Sequence, residues 1–227
     1  DNYFINRNEI VGNGFDDDGN GYVDDVSGWN CYTNSPIHPN NNHGTHVAGT
    51  VGAKGNNEIG VTGVNWNVKV LPITGSSTLE SIVVEAYAYV LEMRTLYNET
   101  NGEKGAYIVS TNASFGVDNG QPIDFPIWCS LYDSLGYQGV LSAGATANNN
   151  VDIDQVGDIP TSCDSPFLIS VTNTTSSDQI NSSAAYGLET IDLGAPGTKI
   201  YSTVPGDNYG NNTGTSMATP HVAGAIG

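Results

Sequence analysis

Near the end of the chain the residues NNTGTSMATPHVAGAIG, 211–227, set Ser216 between a Gly-Thr pair and a run of small apolar side chains. A serine hydroxyl is a poor nucleophile at neutral pH. It becomes a good one when a nearby base takes its proton and donors hold the oxyanion that develops. The free N–H groups at a helix N-terminus favour such negative charge. Ser216 opens a predicted helix in which Ala218, Ala223, Gly224 and Ala225 allow deep packing. Pro220 is tolerable there only within the first turn. Four histidines are available as bases: His38, His43, His46 and His221. In HGTHVAGT, 43–50, His43 follows a polar loop and can open a helix, with His46 one turn further in. His46 and His221 read as hydrogen-bonded core residues.

Elements able to position these groups follow from periodicity. In STLESIVVEAYAYVLEMRTLY, 77–97, the apolar residues Leu79, Ile82, Val83, Ala86, Val90 and Met93 fall at three- and four-residue spacings, which predicts a helix. Ser77 and Glu80 suggest a capping box at its start. Further helices are expected over 43–53 and 124–138, and short apolar strands over 68–73, 106–116, 139–145, 167–173, 190–197 and 199–204. Short buried strands alternating with helices imply a parallel sheet covered on both faces, with ligands outside the strands' carboxyl ends. No repeat or linker interrupts the 227 residues, so one domain is expected.

The charge is lopsided, with 6 Lys+Arg against 24 Asp+Glu, a net of −18. Such a surface repels nucleic acid and anionic membranes. No apolar run is long enough for a membrane span. Carboxylates concentrate in DDDGNGYVDD, 16–25, where Asp16, Asp18 and Asn20 alternate and Gly21 follows. That matches the opening of an EF-hand-like calcium loop, although the twelfth position is Ser27 rather than Glu. Asp25 and the Tyr22 carbonyl would close the site instead. Of Cys31, Cys129 and Cys163, the last two flank a predicted strand region and form the expected disulfide; three free thiols are the alternative.

HGTHVAGT at 43–50 and GTSMATPHVAG at 214–224 resemble the histidine and serine motifs of the subtilisin-like serine proteases, the subtilases. Their order, and their separation by about 170 residues, make the likeness specific. It extends to AYIVSTNASFG, which resembles the strand that pairs with substrate, and to GVTGVNWNVKVLPI, which resembles the strand after the histidine helix. The resemblance implies an α/β, subtilisin-like three-layer fold with a mostly parallel central sheet and helices on both faces. It implies Ser216 as nucleophile and His43 as general base. Asn148, in SAGATANNN at 142–150, is the match for the oxyanion-hole asparagine, although a strict register would put Ala145 there. The backbone N–H of Ser216 would be the second donor. Ser114, Phe115 and Gly116 resemble the segment that lines the main specificity pocket and binds peptide as an added strand. GNNEIGV, 55–61, resembles a second, weaker calcium loop with Asn57 as ligand.

The family's third catalytic group, an aspartate that fixes the histidine tautomer, ends a first strand in an Asp-Thr/Ser-Gly context. Asp1, followed by Asn2-Tyr3, does not match, and no triad aspartate is assigned. The chain is accordingly expected to lack its N-terminal strand and C-terminal end and to be a monomeric domain of a longer protein. The expectation is a calcium-stabilised serine endopeptidase, secreted or at a cell surface, acting on polypeptides through an acyl-enzyme. Calcium loops and a disulfide suit that location. The alternatives are an inactive subtilase-fold, calcium-dependent binding module and an esterase; the second requires a G-x-S-x-G elbow, which Gly-Thr-Ser-Met-Ala lacks.

Overall fold

The structure, a computed structural model, describes residues 2–227; Asp1 lies outside them. Among the described residues there are ten short strands and five α-helices. The order is β1 (Trp29–Asn30), α1 (Asn42–Gly52), β2 (Ile73–Thr74), α2 (Glu80–Glu99), β3 (Ser110–Ala113) and β4 (Val117–Asp118). Then come α3 (Pro126–Tyr137), β5 (Leu141–Ala145), α4 (Ile153–Val156), β6 (Asp158–Ile159), β7 (Leu168–Thr174) and β8 (Leu193–Pro196). The chain closes with β9 (Ile200–Val204), β10 (Asn208–Asn212) and α5 (Thr215–Ile226).

A parallel sheet in the order β3-β5-β7-β8 forms the centre. Side chains alternate across it, so Leu168 and Val171, three apart on β7, serve opposite faces. Leu168 joins the core under α2 and α3, built on Val83, Val90, Trp128, Tyr132 and Leu135. Val171 joins Ala143, Ala195, Ala218 and Ala223 under α5. Small residues on both partners let α5 lie close against all four strands, with α1 packed beside it. This is the three-layer α/β arrangement the sequence implied. Cys129 and Cys163 form a disulfide across the α2/α3 side, and Cys31 is a buried thiol.

Two local expectations are corrected. No capping box starts α2: the Ser77 hydroxyl accepts from the Leu79 N–H, and Glu80 Oε1 reaches across to accept from Ile127 and Trp128 N–H at 3.0 and 2.9 Å. Glu80 thus satisfies the open first turn of α3, whose own lead-in residue offers no side-chain cap. The predicted strand over 68–73 shrinks to β2 and one bridge from Val70 to Tyr3, because its partner is the two-residue β1. The partner of β9 in its hairpin, β10 (Asn208–Asn212), has Tyr209 among asparagines and a glycine and so carried no apolar alternation to reveal it.

Candidate active site

Helix α1 is fixed at its start and near its middle. Asn41 Oδ1 accepts from the Gly44 N–H at 2.8 Å as an N-cap. One turn on, the buried His46 points Nε2 at the carbonyls of Ile200 and Gly210, 2.9 and 3.2 Å away. Two acceptors on one nitrogen place the ring proton there. Ser202 and Thr203 return hydroxyl bonds to the carbonyls of His46 and Thr45. His46 is therefore an anchor to the β9–β10 hairpin. His43, the helix's second residue, stands at its exposed end. Surrounding protein and the nearby His46 hold its pKa below the ordinary value, so the ring is neutral and able to accept a proton at neutral pH. Among the described residues it makes no hydrogen bond.

Ser216 is the second residue of α5. Pro220 is the sixth, beyond the first turn, contrary to the sequence expectation. A proline there has no N–H to give to the carbonyl four residues back, which is that of Ser216. Ser114 takes over: its hydroxyl donates to the Ser216 carbonyl at 2.8 Å. In return the Ser216 hydroxyl donates to the Ser114 carbonyl at 3.2 Å. The nucleophile candidate and the end of β3 are thus tied in both directions, and the helix accepts its proline without an orphaned carbonyl. His221 uses Nδ1 to bond the Met217 carbonyl within the same helix.

Asn148 lies after β5 and beside this helix. Its Oδ1 accepts from the Thr215 N–H at 2.9 Å. With the amide oxygen so engaged with the residue before Ser216, the NH2 group is the part of the Asn148 side chain left to donate. Both residues line one cavity of about 70 Å³ with Phe115, Gly116, Ala145 and Ala147. Ala145 has no side-chain donor to offer there. Phe115 is also stacked on Trp128, at 5.8 Å between ring centres, so it serves wall and core together. Gly116 must be glycine, since a Cβ would run into the Ile159 carbonyl.

Sequence reasoning passed over Asp158, which lines the same cavity and is 1% exposed. Its Oδ2 accepts from the Ala147 N–H at 3.0 Å and the Thr161 hydroxyl at 2.6 Å. Burial, opposed by these two bonds and reinforced by Asp118, pushes its pKa up to about 7. A lone Asp in VGDIP carried no pattern that would have singled it out.

The acidic loop is a second focus. One oxygen from each of Glu9, Asp16 and Asp18 lies within 4.8 Å of the others. Glu9 was missed because it precedes the carboxylate-rich segment; its oxygens accept from the Asp17, Asp18 and Asp24 N–H groups and hold the loop around it. Burial raises the pKa of Glu9. Asp16 is wrapped by the Gly19, Asn20 and Gly21 N–H groups. Asn20 and Asp25 bond to one another instead of converging on that group. Asp25, fully buried, also accepts from Asn6 and from the Tyr89 hydroxyl. The Tyr22 ring packs edge-on against Trp29 and Tyr89. Such an all-oxygen donor set suits a hard cation.

Fold and site together define a three-layer α/β protein with a serine at a helix start, an asparagine amide beside it and a histidine helix alongside. Residues 4–227 match the model of the subtilase family, and the chain belongs to that family. It is 34% identical over 245 residues to "Subtilisin-like protease 1" of Plasmodium falciparum (isolate 3D7), covering 98% of this chain and 33% of that protein. It is 36% identical over 197 residues to "Subtilisin NAT" of Bacillus subtilis subsp. natto, covering 84% of this chain and 46% of that one. A crystal structure of a cold adapted subtilisin-like serine proteinase superposes with a TM-score of 0.68 at 31% identity, over 88% of this chain and 65% of that chain. The chain therefore spans between a third and a half of the length of these two sequence relatives.

Proposed function

We propose that this chain is the single catalytic domain of a secreted serine endopeptidase acting on polypeptides. Ser216 Oγ attacks the scissile carbonyl and gives its proton to His43. The oxyanion is met by the Asn148 amide and the Ser216 backbone N–H. Collapse breaks the C–N bond, the amine leaves with the proton from His43, and water hydrolyses the acyl-enzyme by the same route in reverse. No residue of this chain is assigned the aspartate's role. The observation that carries the reading is the amide of Asn148, held by Thr215 immediately before the nucleophile. An unconstrained loop asparagine would have no reason to sit there.

Ser114, Phe115 and Gly116 form the wall against which the peptide lies. Glu9, Asp16 and Asp18 would hold a calcium ion, with Asn20, Asp25 and the Tyr22 carbonyl supporting the loop around it. The bound ion would supply rigidity by neutralising converging carboxylates. The Lys104 ammonium donates to the Asp18 carbonyl in this loop. No described helix is long and apolar enough to cross a membrane. The test is Ser216→Ala in the full-length protein, with a fluorophosphonate probe on the wild type. Peptidase activity and labelling should both vanish in the variant; hydrolysis that persists unchanged refutes the assignment.

A further inference from the structure

The cavity beside Ser216 has a wall chemistry that its location alone does not require. Its sides are the Phe115 ring and the methyl groups of Ala145 and Ala147, all suited to an apolar stem. Asp158 and Asp118 supply two carboxylates, one deeply buried and one exposed, and no lining residue is cationic. Asp158 spends both of its bonds on Oδ2, and Oδ1 has no partner among the described residues. Thr146, lining the same space, has a buried hydroxyl with no partner. The cavity exceeds several-fold the ~10–15 Å³ that one water needs.

We propose that this cavity takes a lysine or arginine side chain of the substrate, on the acyl side of the scissile bond, and that Asp158 selects it. The inference rests on Ser216 being the nucleophile. The residue whose carbonyl is attacked carries the side chain that reaches the neighbouring cavity. A long basic side chain lays its methylenes along apolar walls and keeps its charged end for a polar partner. A buried carboxylate without a counterion is costly, and a substrate cation is the missing partner. The free Oδ1 gives that cation an acceptor. Asp118, on the neighbouring strand of the β4–β6 ladder, adds like charge at the approach.

The experiment compares kcat/KM for peptides differing only at that position, with lysine, arginine, norleucine, phenylalanine or glutamine, in the full-length protein. Concentration is set by fluorophosphonate titration of Ser216. Norleucine keeps the stem of lysine and drops the charge. Lysine or arginine should exceed norleucine by roughly 10- to 100-fold, the worth of a hydrogen bond to a charged group, and Asp158→Asn should bring the ratio close to one. Should that variant fail to fold, the wild-type ratio decides. A wild type that labels at Ser216 yet prefers norleucine, phenylalanine or glutamine overturns the inference and leaves the peptidase reading intact. A protein that neither labels nor cleaves overturns both.

Discussion

Asp158 makes a prediction about stability that is independent of turnover. Its carboxyl is displaced from the ordinary value of 3.8 to about 7, chiefly by burial. At 1.36 kcal/mol per pKa unit this amounts to about 4 kcal/mol between the protonated and ionised forms. The folded state holds this proton more tightly than the unfolded chain. The contribution is therefore fully present below pH 3.8, falls as pH rises toward 7, and is flat above about 8. Asp158→Asn removes the titration and keeps an acceptor for the Ala147 N–H and the Thr161 hydroxyl. Both proteins should be studied with Ser216→Ala, to prevent self-digestion, by urea unfolding from pH 4 to pH 8.5. Glu9 and Asp25 are also raised by burial, so each profile slopes; only the difference between them isolates Asp158. The variant should gain about 4 kcal/mol on the parent across that window. Parallel profiles, within about 1 kcal/mol, would show that Asp158 is not a buried carboxylate lacking a counterion, and the reasoning would fall.

Removing the amide donor with Asn148→Ala should lower kcat by about 10²–10³ with a much smaller change in KM; unchanged turnover would take Asn148 out of the oxyanion site. Replacing Cys129 and Cys163 by serine opens a link with a sequence separation of 34. Chain entropy puts the loss at about 4 kcal/mol, readable as a lower urea midpoint, and an unchanged midpoint would contradict it. Calcium at about 100 times its Kd should stabilise the fold by about 2.7 kcal/mol. Glu9→Gln should abolish most of that gain, whereas a melting temperature indifferent to calcium and chelator would dismiss the site.

The layers were legible because α2 and the central strands carry their period in apolar residues, and the serine and histidine motifs because they are long and ordered. Side-chain traffic between distant segments was not legible. Glu80 looked like a cap for its own helix and caps another, since only the assembled α2/α3 pair brings the carboxylate to Ile127 and Trp128. Pro220 looked bound to the first turn because its lost bond had no visible substitute; Ser114, 102 residues before Ser216 in sequence, provides one. Glu9 and Asp158 escaped for a related reason. Each is an ordinary carboxylate in sequence, given its character by neighbours that folding brings in from elsewhere.

The reciprocal pair between Ser114 and Ser216 has a kinetic consequence. In the proposed mechanism Ser114 belongs to the wall against which a peptide lies, and Ser216 is the group that reacts with it. Their two bonds make a short mechanical coupling across the site. On that reading a side chain that seats well would draw the wall and the nucleophile's backbone into register at once, and one that seats poorly would displace both. Substrate discrimination in this protein should therefore be read more strongly in the acylation rate than in occupancy, with poor peptides held in the groove and seldom cut.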